Sequence, residues 1–319
     1  MTSATTFQMS DVFQAHERFL WGVCYRMTGN AADADDLVQE TFVRAIKTPP
    51  ARTDEPWRPW LVRVAINLSR DLLRRRRRQS YEGVWLPSPI ETESDDPPAH
   101  DPPDEFGNPA ARYDLIESVS YAFLLALEAL TPSQRAVLLL RDVFDYSVFE
   151  TAEALGMSEA NVKTTLHRAR KAILEYDHSR HPITQLFQSQ AQQTVEKFLA
   201  YLFNHDVAGA ATLLADNVRH VSDSGGEFYA ARVPVVGREK VLLFNSRILQ
   251  IAATNSYKVR SEWHSFNGAP AIVFEVPEIP AGFAPRTVML FQVNAAGQIE
   301  QIHSILASRK LTAVRSIAK

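Results

Sequence analysis

The sequence predicts a multidomain chain: two all-α blocks, the second a helix-turn-helix, followed by an α+β unit. Three observations carry this. Apolar residues recur at helical spacing before about residue 79 and again from about Ala110 to Tyr176. A Pro-rich acidic stretch separates those two runs. After about Val218 the pattern shifts to strand-like alternation broken by turn dipeptides such as Asn267-Gly268 and Ala296-Gly297. At 319 residues the chain is long enough for several cores. Its hydrophobic content of 45% and charged content of 22% exclude a collagen-like or wholly disordered chain. With 34 Lys+Arg and 37 Asp+Glu the net charge is −3, which excludes a uniformly basic coat protein but permits a local basic patch. A single cysteine, Cys24, forms neither an internal disulfide nor a zinc site by itself, and no metal or cofactor is expected. Met1–Asp11 lacks the order of a signal peptide, and no apolar run reaches membrane-spanning length, so an intracellular, cytoplasmic chain is expected.

The first block, 1–79, is helical and carries 13 Lys+Arg against 9 Asp+Glu. Val38, Phe42, Ala45 and Ile46 define one buried stripe, while Asp36, Gln39, Glu40 and Val43 share another face. Taken alone, such an acidic face is more often an ordinary solvated surface. A second helix, Arg58 to about Arg78, places Trp60, Val64 and Leu68 on one side and Arg63, Asn67, Arg70 and Arg74 on another. It ends in five consecutive arginines, Arg74 to Arg78. Their charge requires solvent, an acidic partner or phosphates, and nucleic acid fits because neutralised phosphates release counterions.

Residues 80–109 contain eight acids, no Lys or Arg, and seven prolines from Pro87 to Pro109. Such a stretch reads as an extended or disordered linker. In the second block, 110–180, Thr131-Pro132-Ser133-Gln134 spells a capped helix start that should run to about Arg141. Val148, Ala152 and Leu155 share one face of the next helix, which Gly156 ends, and Ser158 caps the one after. There Val162, Leu166, Ala169 and Ile173 should point inward. Asn161, Lys163, Thr164, Thr165, His167, Arg168, Arg170 and Lys171 should then point outward. Two short helices joined at a glycine, the second rich in donors, describe a helix-turn-helix whose recognition helix enters a major groove.

Residues 181–319 should form two helices (Ile183 to about Asn204 and Asp206 to Leu214), a strand at Val218–Ser222 and a helix from Gly237 to about Ile251. Four strands, Tyr257–Phe266, Ala271–Val276, Thr287–Val293 and Ile299–Leu306, should close a cone with one open end. His220, Asp223, Tyr229, His264 and His303 are candidate polar liners of such a cone. An Asp and a Tyr can serve proton transfer, but no two of these residues form a local motif, and no catalytic role is assigned. Gly225-Gly226 suits a tight loop approached by another backbone.

Several motifs carry a resemblance. Trp21–Asn30, Ala31–Phe42 and Trp60–Asp71 resemble region two of extracytoplasmic-function sigma factors, and Leu130–Arg135 with Ala152–Lys163 and His167–Arg170 resembles region four. Tyr81–Pro89 is similar to the Trp-Leu-Pro-Glu-Pro linker motif of the subgroup with a C-terminal SnoaL-like domain, with Ser88 in place of the glutamate. Asp223-Ser224-Gly225-Gly226 resembles that subgroup's Asp-Gly-Gly-Gly, and Pro234–Gly237 follows as in the family. Ala307-Ser308-Arg309-Lys310-Leu311 stands where the family has Asn-Pro-Asp-Lys-Leu.

The resemblance implies core RNA polymerase and promoter DNA as partners. It implies polymerase docking through Asp35, Asp36, Gln39, Glu40 and Arg44. Reading of the −10 element would fall to Arg63, Asn67, Arg70, Arg74 and Arg75 with the loop around Thr48–Trp57. Reading of the −35 element would fall to the Ser158–Lys171 helix. An internal contact would join Trp85, Leu86 and Pro87, with a buried Trp as anchor, to Asp223, Gly225 and Gly226. The C-terminal domain would regulate in cis, with a small-molecule ligand as a possible partner. Two other classes stay open on the residues alone: a ligand-responsive helix-turn-helix regulator that is not a sigma factor, and an enzyme fused to a DNA-binding module.

Overall fold

A computed structural model describes residues 3–50, 56–91, 115, 117–179 and 185–317, without the side chains of 3–9, 179 and 185. The chain divides into two compact units, Met1–Ser80 with Asp96–Arg180, and Tyr81–Asp95 with His181–Lys319. Residues 92–109 of the acidic stretch with 110–114, residues 51–55 of the loop before Trp57 and residues 180–184 lie outside the described residues.

The first unit is all-α. Helices α1 (Ser3–Thr28), α2 (Ala31–Lys47) and α3 (Trp57–Arg78) pack on one another, followed by α4 (Tyr121–Leu127), α5 (Pro132–Leu138), α6 (Val148–Leu155), α7 (Glu159–Ala172) and α8 (Leu174–Ser179). Asn30 caps α2 by accepting from the Asp33 amide at 3.0 Å. Leu37, Val38, Thr41, Phe42 and Ala45 of α2 are buried, but Ile46 is 46% exposed. The inward stripe is therefore rotated toward Leu37 and Thr41 from the spacing that included Ile46. Along α3 the deepest residues are Leu61, Val62, Ala65 and Ile66, rather than Trp60 and Val64, which are half-buried.

The expected capping box forms between Thr131 and Gln134, and a second one joins Ser147 and Glu150. Helix α5 does not continue to Arg141 in α form. Its hydrogen bonding widens to π type over Leu139–Val143, which carries Asp142 into the interior. Gly156 ends α6 at φ 62°, a left-handed conformation that suits glycine, and Ser158 starts α7. Val162, Leu166, Ala169 and Ile173 all point inward as their spacing requires. The last helix of the unit, α8, runs through Ser179.

Two buried arginines hold the two halves of this unit together. Arg26 donates to Ser118 Oγ at 2.7 Å and to the Leu115 carbonyl at 2.9 Å. Arg135 donates to the Met27 carbonyl at 2.8 Å, the Leu127 carbonyl at 2.7 Å and Glu128 Oε1 at 2.7 Å. Both Met27 and Leu127 belong to last helical turns, where carbonyls lack helical partners and attract cations.

The second unit is α+β. Helices α9 (Gln185–Phe203) and α10 (Val207–Thr212) precede β1 (Leu214–Asp223), β2 (Val235–Val236), α11 (Arg238–Thr254), β3 (Arg260–Phe266), β4 (Ala269–Glu275), β5 (Arg286–Val293) and β6 (Ile299–Ile305). One six-stranded sheet runs β2-β1-β6-β5-β4-β3, with β1 and β6 parallel and every other pair antiparallel. The sheet is thus larger than the four-stranded one read from the sequence. It takes in β1 and a two-residue β2 too short to leave an alternation signal. Val218, Ile272, Phe291, Val293 and Ile302 face Val195, Phe198, Leu199, Val241 and Leu242 of the helices, forming the core.

Two imidazoles are buried in neighbouring strands. Burial pushes His220 from its ordinary 6.5 down to about 4. Burial, with His220 and Arg219 nearby, pushes His303 to about 3. The unfolded chain takes up protons on both as pH falls below about 6.5, and the folded unit does not until far lower. Stability is therefore whole above that value and is lost progressively toward pH 4. The urea midpoint of this unit should fall between pH 7 and pH 5, with a smaller fall in His303→Gln; a flat midpoint over that range contradicts neutral burial.

Candidate promoter and polymerase interface, and the linker seat

The acidic face of α2 is presented to solvent. Asp36 and Gln39 are exposed, and Glu40 pairs with Arg44 at 3.0 Å across one turn. Asp35 sits at the edge of this face and accepts from Trp21 Nε1 at 2.6 Å. Asp36, Gln39, Glu40 and Arg44 lie on this exposed face, with Asp35 held at its edge by Trp21.

On α3 the structure separates the arginines. Arg63 and Arg75 are exposed, and Arg74 pairs with Asp71 at 3.0 Å. Arg76 bonds to Asp33 and the Thr28 carbonyl, and Arg77 to the Leu130 carbonyl. The terminal run is thus partly used within its own unit, which corrects the reading that all five charges need outside partners. Arg70 is also turned inward: it donates to Ser133 Oγ at 3.1 Å and to Asn67 Oδ1 at 3.2 Å. Burial, aided by Arg74, lowers its pKa.

Along α7, Asn161, Lys163, Thr164, His167, Arg168 and Lys171 are exposed as expected. Ser158 is occupied as the helix cap, and Thr165 donates to Asn161 Oδ1 at 3.3 Å. Arg170 departs from the outward set. Its guanidinium makes a two-pronged pair with buried Asp142, at 2.9 and 2.6 Å, tying α7 to the π-type turn.

In the second unit the Tyr81–Glu91 segment is extended and seated, not free. Leu86, Pro87, Ser88, Pro89 and Ile90 are buried. The seat is built on Asp223, which is wholly buried at the end of β1. Its Oδ1 accepts from Tyr81 Oη at 2.6 Å and from the Gly225 amide at 3.0 Å. Its Oδ2 accepts from the Leu86 amide at 2.7 Å and from Lys310 Nζ. Lys310 also donates to the Leu86 carbonyl at 2.5 Å and lies 4.0 Å over the Trp85 ring. Ser88 donates to the Lys310 carbonyl, and the Ile90 amide donates to Asn267 Oδ1 at 3.0 Å. Gly225 and Gly226 adopt φ 58° and 80°, close against Tyr81 and Glu82.

Trp85, Leu86, Pro87, Asp223, Gly225 and Gly226 therefore come together. The buried anchor is Leu86, while Trp85 is half-buried and serves as a cation-stacking face. Sequence reasoning missed Tyr81, Asn267 and above all Lys310. The signal for Lys310 was the retained Lys-Leu of the tail motif. The five candidate cone liners do not converge. Asp223 is taken by the linker, Tyr229 is 72% exposed against Phe283, and His264 bonds Glu91 at 2.9 Å. His220 and His303 alone are near neighbours.

A helical unit bearing an exposed acidic face, a basic helix and a helix-turn-helix, followed by an α+β unit on one six-stranded sheet, defines a multidomain transcription factor. A sigma-70 region 2 model matches residues 12–79 and a sigma-70 region 4 model matches 120–173. The chain is 33% identical over 240 residues to the extracytoplasmic-function RNA polymerase sigma factor SigJ of Mycobacterium tuberculosis, covering 75% of this chain and 72% of that one. It is 39% identical over 180 residues to SigG of the same organism, covering 50% of this chain and 47% of SigG. The crystal structure of Mycobacterium tuberculosis SigJ superposes with a TM-score of 0.70 at 27% identity, covering 95% of this chain and 98% of that one. The chain belongs to the extracytoplasmic-function sigma factors, which bind core RNA polymerase and initiate transcription at promoter DNA. Among the described residues, no helix is long and apolar enough to cross a membrane.

The seat yields a stability prediction. Removing one partner of a buried ion pair strands the other charge, at about 3–5 kcal/mol. Lys310→Ala or Asp223→Ala should lower the melting temperature of the C-terminal unit by several degrees. Replacing both partners by apolar residues should recover part of that loss. Single variants that melt with the parent would show that the pair is not closed.

Proposed function

We propose that this sigma factor docks on core polymerase through the α2 face of Asp35, Asp36, Gln39, Glu40 and Arg44, and reads its promoter with two helices. The exposed part of α3, Arg63, Arg74 and Arg75 with Asn67, would address the −10 element. Asn161, Lys163, Thr164, His167, Arg168 and Lys171 of α7 would address the −35 element. Ser158, Thr165 and Arg170 position α7, and Arg70 becomes available only when Ser133 releases it. The chain supplies positioning, and the chemistry of initiation belongs to the polymerase.

The C-terminal unit acts in cis on the spacing between these helices. The observation that carries this reading is the seating of the inter-region segment Tyr81–Ile90 on buried Asp223. Promoter elements centred about 25 base pairs apart lie about 85 Å apart along B-form DNA. Regions two and four, pinned together by Arg26 and Arg135, must part to reach both. Slack for that parting has to come from the segment that joins them, and seating removes ten or more residues of it. The seated and released forms are two states of one equilibrium.

Full-length protein and Asp223→Ala should be compared for binding to bacterial core polymerase by size exclusion, and for transcription from genomic fragments. Selective initiation is expected, with promoter output changed at least severalfold by Asp223→Ala while polymerase binding is kept. Unchanged output from a variant whose linker has become protease-sensitive removes the cis-regulatory reading. Absence of any polymerase complex removes the assigned docking face. The DNA contacts separate by salt dependence. Arg168→Ala should reduce the slope of log affinity against log salt by about 0.9, the value for one phosphate contact. Arg170→Ala should leave the slope unchanged and lower the melting temperature of the helical unit.

A further inference from the structure

One cation of α7 stands in a position to meet DNA and is turned away from it. With Val162, Leu166, Ala169 and Ile173 inward, residues 163, 167 and 170 follow one another at i, i+4 and i+7 along one flank of the helix. Lys163 and His167 on that flank are exposed. A helix lying in the major groove turns its flanks toward the phosphates that border the groove. Arg170 is on this flank too, and 41% of its side chain is exposed. A long cation so placed would reach a phosphate.

A carboxylate behind the helix holds it back. Asp142 accepts from Arg170 Nε at 2.9 Å and from Nη2 at 2.6 Å, and its own side chain is 2% exposed. Two parallel bonds fix the plane of a guanidinium as well as its distance, which one bond does not. Asp142 arrives there through the π-type turn Leu139–Val143. That turn closes with the Phe144 amide on the Leu139 carbonyl at 2.9 Å and the Tyr146 amide on the Leu140 carbonyl at 2.8 Å. Such wide turns inside helices recur at functional positions. Among the described residues no ion pair joins Lys163, Arg168 or Lys171 to an acid, so the carboxylate selects one cation of α7 and leaves the others outward.

We propose that Asp142 is a specificity-determining residue for promoter recognition: it withholds the Arg170 guanidinium from the DNA backbone and, by the same pair, positions α7. A phosphate contact adds affinity on every sequence alike, whereas base contacts distinguish one sequence from another. Withholding Arg170 therefore weakens binding to the bulk of the genome. The two-pronged pair also fixes the roll of α7 about its axis, on which the aim of Asn161, Thr164 and Arg168 depends. The assignment rests on the reading of α7 as the −35 helix.

The test uses the full chain and a fluorescein-labelled duplex of random sequence, titrated by anisotropy at several salt concentrations. Asp142→Asn keeps the shape of the side chain and removes its charge. It should bind the duplex several-fold more tightly at low salt, and the slope of log affinity against log salt should steepen by about 0.9, one phosphate contact. The double variant Asp142→Asn with Arg170→Gln should return to the parental slope, which a general loosening of the fold would not do. Nitrogen-15 NMR of the parent needs no variant to fold: its Arg170 Nε–H signal should stay in place when the duplex is added. The proposal is overturned by an unchanged slope in folded Asp142→Asn, by a steep slope that survives in the double variant, or by an Arg170 signal that moves with DNA. Arg168→Ala separates this proposal from the reading beneath it. If that variant also leaves the slope unchanged, the −35 reading of α7 falls as well; if it lowers the slope while Asp142→Asn does not raise it, the role of Asp142 alone falls.

Discussion

One buried carboxylate organises the C-terminal half of the molecule. Asp223 has no contact with bulk water, so its charge has to be met by donors, and it gathers four of them: a phenol, two backbone amides and an ammonium. These come from the inter-region segment, the glycine loop and the tail, which are far apart in sequence. Desolvation leaves little tolerance for a missing donor, so the elements close together or not at all. The left-handed glycines serve the same end, because a side chain there would crowd Tyr81 and Glu82.

The helical half obeys a related rule with the sign reversed. Arg26 and Arg135 are buried cations whose partners are mostly backbone carbonyls, two of them, of Met27 and Leu127, in last helical turns. Regions two and four are thereby joined through groups that each would otherwise leave unsatisfied. Such a junction is specific and also reversible, since water can replace every one of these bonds once the halves part. An intramolecular junction of that kind suits the change of span proposed for this factor.

Much of the fold was legible because its signals are local. Capping at Thr131 and Ser158, the Gly156 turn, the inward set Val162–Ile173 and most strands follow from spacing within a dozen residues. Ile46 was misplaced because a few degrees of helix rotation decides between interior and surface. Strand β2 was invisible because two residues cannot alternate. The site was less legible than the fold. The residue types on α2, α3 and α7 marked surfaces correctly, but whether an arginine faces outward depends on what lies across from it. Asp142 and Ser133 are 28 and 63 residues from the arginines they occupy. Lys310 shows the same limit: a lone lysine in a divergent tail acquires meaning only beside Asp223.

The distance in sequence between the two sides of the seat also has a consequence in time. Leu86 and Lys310 are 224 residues apart. At a translation rate of about 5–20 residues per second, the linker is made roughly 10–45 s before its lysine. Helical packing with mostly local contacts is complete well within that interval. Each newly made molecule therefore passes through a period in which its promoter-reading half is folded and its linker is unheld. The parallel pairing of β1 with β6 imposes the same wait on the sheet itself. A chain that stalls or is cut before Lys310 stays in that early form, so the seat distinguishes finished copies from unfinished ones.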